Sequence, residues 1–438
     1  MSTETIQEMH RILELQKSCN IKDGAPDISV RADRLDRVVA MVTKYDKKII
    51  ETVSQDFGNR DPMMSGVTEV QSVIGPMQHA KKNLKKWMKT EKRKAAIAPL
   101  GSALSLLGAK AEIRYQPKGV VGAISPWNFP LNLALAPLAG ILSAGNRVML
   151  KPSELTPASS DLTKLMIEEY FDESEIGVFI GDPEVGAAFS GLAFDHLIFT
   201  GGTAIAKHVM KAASENLVPL TLELGGKSPV VVGKSSKIKD TASRVMQGKT
   251  MNAGQICLAP DYLLVHESVK EKLLLNLKTV SLKQFGGDNG SSKESKDYSR
   301  IVNNKHYSRL NGLIKKSTLE GAQLFMGGDS DSESNYIAPT ILTDIDNNSP
   351  IMSEEIFGPI LPVITFKELK EATDFINKQP KPLGLYIFSK KSKNIDFILD
   401  NTSAGGTCIN DTILHYMHLN LPFGGINTSG FGLSLIHI

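Results

Sequence analysis

Cysteine is scarce in this 438-residue chain: Cys19, Cys257 and Cys408 are the only three. They are odd in number and far apart, which excludes a disulfide framework and fits a reducing, cytoplasmic setting. Charge of one sign is also missing. A formal net charge of +3 gives no electrostatic reason to expect nucleic acid or anionic lipid as a partner. The N-terminal stretch MSTETIQEMHRILELQK lacks the apolar segment of a signal peptide and reads as a polar amphipathic helix. The uncharged run from Gly119 to Asn146 is broken by Pro126, Pro130 and Pro137, so it reads as a buried strand, loop and helix rather than a membrane span.

Several motifs are absent as well. No G-x-G-x-x-G and no G-x-S-x-G occurs. The tripeptides GKS (Gly226–Ser228) and GKT (Gly248–Thr250) resemble the end of a P-loop. Thr221 and Ser243 stand where that loop needs its first glycine, so both fail. His415 and His418 have no accompanying cysteine or carboxylate cluster, and no metal site is expected.

What is present is an alternation of short β-branched runs with helical segments. Residues 1 to about 92 read as helical, with the basic run Lys81–Arg93 as a solvated helix face. An arm or connecting ribbon follows. From Gly119 the strands GVVGAISP, RVMLKPSE, IGVFIG and HLIFTGG alternate with helices, including one over LALAPLAGILSAGN closed by Gly145-Asn146. A second series begins near Leu224 with PVVVG, DYLLVHE and a long helix from Glu267. GGDNGSSKESKD and GGDSDSESN read as surface loops. The pattern predicts an α/β protein with two doubly wound domains, a cleft between them and a small arm.

Three polar groups in apolar settings stand out. Glu223 ends the strand PLTLEL beside Gly225-Gly226. Cys257 lies in KTMNAGQICLAP, and Asn128 lies between prolines in SPWNFP. Each has an ordinary structural reading alone: a paired glutamate, a buried thiol, a turn residue. Together they fit acyl transfer. A thiolate attacks a carbonyl carbon, the Asn128 amide and the Cys257 backbone N–H meet the developing oxyanion, and Glu223 serves as base for the thiol, for water, or for both.

SPWNFP, KPSE (Lys151–Glu154), FTGG (Phe199–Gly202), LELGGKSP (Leu222–Pro229), GQICLAP (Gly254–Pro260), EEIFGP (Glu354–Pro359) and LPFGG (Leu421–Gly425) occur in this order. In them, and in the spacing of Glu223 and Cys257, the chain resembles the aldehyde dehydrogenases, most closely the short class that includes coniferyl aldehyde dehydrogenases. The resemblance implies a Rossmann-like NAD-binding domain from residues 1–94 and 116–223, a catalytic domain over 224–412, and oligomerisation segments at 95–115 and 413–438. It implies oxidation of a hydrophobic aldehyde, aromatic or medium-chain, by a homodimer, with NAD as cofactor and NADP as a possible substitute. The cofactor residues it implies are Trp127, Lys151, Glu154, Gly201, Gly202, Thr203, Ala206, Leu224, Glu355 and Phe357. Lys151 and Glu154 would reach the adenosine ribose, and Glu154 would disfavour a 2′-phosphate. Gly201 to Ala206 would open a helix near the pyrophosphate. Glu355 and Phe357 would hold the nicotinamide ribose and ring.

Two departures accompany the resemblance. Ala206 stands where the family's phosphate-side turn usually has glycine, and the added methyl group leaves room for an altered backbone approach without implying loss of the cofactor. After SGFG the chain ends in LSLIHI, which suggests a truncated C-terminus. Two other functions fit the same residues. One is a catalytically silent binding relative; the other is a CoA-acylating dehydrogenase, in which a thiol replaces water.

Overall fold

The structure is a computed structural model and describes residues 2–93, 108–286 and 291–432. Two sheets organise it. The first has six strands in the order Gly430–Phe431, Leu220–Glu223, His196–Thr200, Val120–Ile124, Arg147–Lys151, Ile176–Val178. All pair in parallel except the short Gly430–Phe431, which runs antiparallel to Leu222 and Glu223.

Alternate side chains of these strands enter two separate cores. Val121, Ala123, Val148 and Leu150 pack with Leu35, Val38 and Met77 from the N-terminal helices. Val120, Met149, Leu197 and Phe199 pack on the opposite face with Met9, Ile12 and Val209. Burial on both faces explains why these strands are apolar throughout rather than alternating with polar residues.

The second sheet has seven strands: Gln323–Met326, Thr340–Thr343, Ile360–Phe366, Tyr262–His266, Pro229–Val232, Gly384–Phe388, Gly406–Ile409. Only the Gln323–Met326 edge is antiparallel. Val230, Val232, Leu263 and Val265 meet the helices Ile238–Thr250 and Lys270–Phe285. Val231, Leu264 and Ile387 face Leu310, Leu313 and Ile376 on the other side. Both sheets are therefore doubly wound, as the alternation of runs predicts.

Local details differ from the sequence reading. The expected helix over LALAPLAGILSAGN is two short ones, Pro130–Leu135 and Leu138–Ser143. Pro137 carries no N–H and its ring crowds the preceding turn, so the helix breaks there. The basic run is helical only to Trp87, and Glu91–Arg93 instead pairs antiparallel with Ala111–Ile113. GGDSDSESN holds the first strand and the turn of a small hairpin, in which Ser330–Asp331 pairs with the following Tyr336–Ile337. Part of the GGDNGSSKESKD loop, most of the 95–115 segment and the LSLIHI end lie outside the described residues. No helix among the described residues is long and apolar enough to cross a membrane.

Candidate active site

In the first sheet, every residue singled out above follows a strand or ends one: Trp127 and Asn128, Lys151 and Glu154, Gly201 and Gly202, Glu223. In the second sheet they precede strands: Cys257 before Tyr262–His266, Glu355 and Phe357 before Ile360–Phe366. The carboxyl ends of one sheet thus face the amino ends of the other. The strand order reverses between Val120–Ile124 and His196–Thr200, the kind of switch point where open α/β sheets take ligands. Contacts close the two halves. Asn128 Nδ2 donates to Gln255 O at 3.0 Å, Asn252 Nδ2 donates to Asn128 O at 3.0 Å, and the Trp127 ring meets Phe357 edge-on at 5.3 Å.

Cys257 owes its place to an unusual approach. The helix Ile238–Thr250 gives way to Asn252, Ala253 and Gly254 with φ of 48°, 50° and 74°. Three consecutive left-handed residues turn the chain sharply, and each non-glycine costs roughly 1–2 kcal/mol. Gly254 has no alternative, because a Cβ there would lie 2.3 Å from Gly358 O. Gln255 then pins the turn, donating to Asn252 O (2.9 Å) and Arg300 O (3.0 Å) and accepting from Val302 N (3.0 Å). The flanking Gly-Gln pair in the sequence is the visible trace of this device.

Beyond it, Cys257 is partly exposed and packs against an apolar cluster that includes Phe129, Ile256, Leu258, Leu383 and Phe423. Although the side chain still reaches solvent, most of its surroundings are protein, and burial pushes the thiol up to about 12. The Glu355 and Glu223 charges add to this, while the amides of Cys257 and Leu258 pull the other way. In this state Cys257 is a protonated thiol at neutral pH. Those two amides are also oriented to stabilise negative charge.

Glu223 is buried at the end of its strand. Its backbone accepts from Gly201 N at 3.0 Å, and its carboxylate is near enough to raise the Cys257 thiol. Asn128 is 3% exposed. One N–H of its side-chain amide is anchored on the Gln255 carbonyl, which leaves the other to donate. Its own carbonyl accepts from Asn252 and also from Arg60 Nη1 at 3.0 Å. Arg60 pairs with Glu69, and sequence reasoning missed both. Arg60 lies in the loop between the helices Asp46–Phe57 and Pro62–Ser65, and Glu69 in the helical segment Gly66–Gln71; a charge in either reads as solvated, and nothing local signals a buried partner.

The residues expected to hold a dinucleotide fall into two groups. Lys151 is buried, and its Nζ donates to Pro152 O (3.1 Å) and Glu154 Oε2 (3.0 Å). Gly202 caps the helix Thr203–Ser214 and has open space where a Cβ would sit, so backbone N–H groups are accessible to an anion. The Thr203 hydroxyl donates to Thr428 O at 3.2 Å. Glu355 lies against Gly225, where a Cβ would come within 2.0 Å of Oε2, and it accepts from the Gly226 amide. Its buried Oε1 has no hydrogen-bond partner, and burial, with Asp261 adding, raises the carboxyl to about 8. Such an oxygen fits a hydroxyl donor from a ligand. Phe357 has φ of 49°, a strained value for a bulky residue, and presents its ring to Trp127.

Two expected residues turn inward. The Ala206 methyl is buried among Val209, Phe199 and Ala213. It therefore belongs to the core on that face of the first sheet. The Leu224 side chain joins the same core, and its N–H is bound to Ser429 O at 3.1 Å.

The two P-loop look-alikes carry structural lysines. Lys227 pairs with Asp261 and donates to Ile351 O (2.8 Å) and Glu354 O (2.9 Å). Asp261 also accepts from Ile356 N at 2.9 Å, so the pair fixes the loop bearing Glu355 and Phe357. Lys249 is buried without a hydrogen-bond partner for Nζ, and burial lowers it to about 8. Among the described residues no metal-ligating cluster occurs.

Comparison with known proteins places the chain in a family. Residues 24–437 match the model of the aldehyde dehydrogenase family. A probable coniferyl aldehyde dehydrogenase of Caulobacter vibrioides is 47% identical over 97% of this chain and 87% of its own length. A coniferyl aldehyde dehydrogenase of a Pseudomonas species is 40% identical, with 97% and 87% covered. Among solved structures, the AldH of Staphylococcus aureus in a substrate-bound state superposes with a TM-score of 0.91 at 40% identity, covering 97% of this chain and 90% of that one. An aldehyde dehydrogenase of Bacillus cereus in an NAD+ complex gives 0.85 at 25% identity, with 98% and 85% covered. The chain belongs to the aldehyde dehydrogenase family.

Proposed function

We propose that this enzyme oxidises a hydrophobic aldehyde, aromatic or medium-chain, to the carboxylic acid through a covalent adduct on Cys257, using NAD in preference to NADP. One observation carries the reading. The Cys257 thiol opens onto an apolar cluster, with the Asn128 amide tied to the Gln255 carbonyl two residues before it and Glu223 at hand. The coniferyl aldehyde dehydrogenase names of the relatives in Caulobacter and Pseudomonas support the substrate class.

The chemistry follows from these groups. Because the thiol is protonated, its proton leaves as attack begins, to the solvent that the partly exposed side chain still reaches. The sulfur–carbon bond forms and the carbonyl oxygen becomes an oxyanion. The second N–H of Asn128 and the Cys257 amide hold that charge in a thiohemiacetal. A nicotinamide dinucleotide, once bound, would supply the hydride acceptor that oxidation of this adduct to a thioester requires. Glu223 then takes a proton from water, the water oxygen attacks the thioester carbon, and the Cys257 thiolate departs as the acid is released. Lys151, Glu154, Gly202, Thr203, Glu355 and Phe357 are the groups suited to hold the dinucleotide. The Glu154 carboxylate, beside free ribose hydroxyls, disfavours a 2′-phosphate. A homodimer belongs to the same proposal, and light scattering would show a mass twice that of the chain.

Steady-state oxidation of cinnamyl, benzyl and aliphatic aldehydes with each cofactor tests the proposal. We expect cinnamyl or benzyl aldehyde to exceed acetaldehyde by ~10-fold or more in kcat/KM, as burial of the larger apolar group predicts. No oxidation of any aldehyde by the folded protein would favour a silent binding relative.

A further inference from the structure

Asn128 sits against a sealed ion pair that the chemistry above does not use. Arg60 is 1% exposed and Glu69 is 0% exposed, with Arg60 Nη2 3.0 Å from Glu69 Oε1. The pair grips the SPWNFP loop from both sides. Arg60 Nη1 donates to Asn128 O at 3.0 Å, while Glu69 Oε2 accepts from Leu131 N (3.1 Å) and Asn132 N (2.9 Å). The guanidinium is held between the rings of Phe57, at 5.0 Å, and Phe129, at 4.6 Å. Glu69 is delivered by a π-helix, Gly66–Gln71. Such a segment departs from the ordinary α-helical ladder and is found frequently at functional sites.

We propose that Arg60 and Glu69 are positioning residues that fix the Asn128 peptide, so that its side-chain amide meets the oxygen of a carbonyl bound at Cys257. Stability is a poor reason for the pair. Taking two charges out of water is costly, and well-packed apolar residues often serve as well or better. Direction is what the pair adds. Arg60 and Asn252 occupy both lone pairs of the Asn128 carbonyl, and Gln255 O takes one N–H of its side chain. The remaining N–H then has one orientation. Leu131 and Asn132, just beyond, are fixed by the same carboxylate. A misplacement of about 1 Å at a reacting centre can cost on the order of 10²-fold in rate.

This inference rests on Asn128 acting as the oxyanion donor, and wild-type turnover in the same assay reports separately on aldehyde oxidation itself. The test is the double variant Arg60→Met with Glu69→Gln, which removes both charges but keeps an oxygen for the Leu131 and Asn132 amides. A melting temperature near that of the wild type is expected, with kcat down ~10–100-fold and KM within ~3-fold, the signature of an interaction lost in the transition state. In an Asn128→Ala background the same two changes should add less than a ~2-fold further loss, because they act through Asn128. Full kcat in the folded double variant, or an undiminished loss on top of Asn128→Ala, overturns the proposal. Should the double variant fail to fold, Arg60→Lys decides. It keeps the charge but not the fork of donors, so kcat should fall several-fold at unchanged KM, and wild-type kcat would overturn the proposal.

Discussion

At the scale of single residues, the two carboxylates near Cys257 have different tasks. Glu223 is the group proposed to activate water, so Glu223→Gln should stop steady-state turnover yet leave one equivalent of reduced nicotinamide, read in a rapid-mixing absorbance trace. Unchanged steady-state turnover would remove Glu223 from that role. Asn128→Ala removes an oxyanion donor and should lower kcat by ~10²–10³-fold, about 2.7–4 kcal/mol. Kinetics with a fixed aldehyde would show it. Cys257, Glu223 and Asn128 were all legible in the sequence, because each stands as a polar group among apolar or glycine neighbours at the end of a strand or in a turn. Arg60, Glu69 and Lys249 were not. Their role depends on being buried, and the N-terminal segments around Arg60 and Glu69 present many other charges that are solvated.

At the scale of elements, the approach to Cys257 is the most constrained part of the chain. Gly254 combines a φ of 74° with a Gly358 carbonyl where its Cβ would lie. Gly254→Ala is therefore expected to destabilise the protein by at least ~1–2 kcal/mol, visible as a lower urea midpoint. It should also depress activity, because the turn that presents the sulfur must shift. Strands such as Val120–Ile124 and Pro229–Val232 could be read from their β-branched runs. The break at Pro137 was misread because small apolar residues continue on both sides of it and mask the interruption. The strand Glu91–Arg93 was misread because its basic composition continues that of the preceding helix. Only pairing with Ala111–Ile113 reveals it.

At the scale of the whole molecule, what the sequence could not display is how distant segments meet. Gly430–Phe431 returns to pair beside Glu223, and the amino ends of the second sheet face the carboxyl ends of the first. These are non-local pairings with no pattern in the segments themselves. Burial at this junction has a consequence for stability. Glu355 is raised to about 8 in the folded state, from an ordinary value near 4.5, chiefly by burial. The folded protein therefore binds more protons than the unfolded chain between those values. The Glu355 contribution is complete below about pH 4.5 and is lost as pH rises through about 8. Glu355→Gln should flatten the decline in urea midpoint between about pH 5 and about pH 8. An unaltered slope would contradict the burial there of a carboxyl with one oxygen unpartnered. A ligand hydroxyl meeting Glu355 Oε1 would recover part of that cost, which links cofactor binding to the stability of the junction.

The covalent step on Cys257 is the claim on which the account turns, and peptide mass mapping reads it directly. The Glu223→Gln protein is mixed with cinnamyl aldehyde and NAD, quenched in acid and digested. The account predicts the mass of one cinnamoyl group on the peptide containing Cys257, and none on those containing Cys19 or Cys408. Aldehyde oxidation proceeding with Cys257 unmodified, or undiminished in a Cys257→Ala protein, would contradict it.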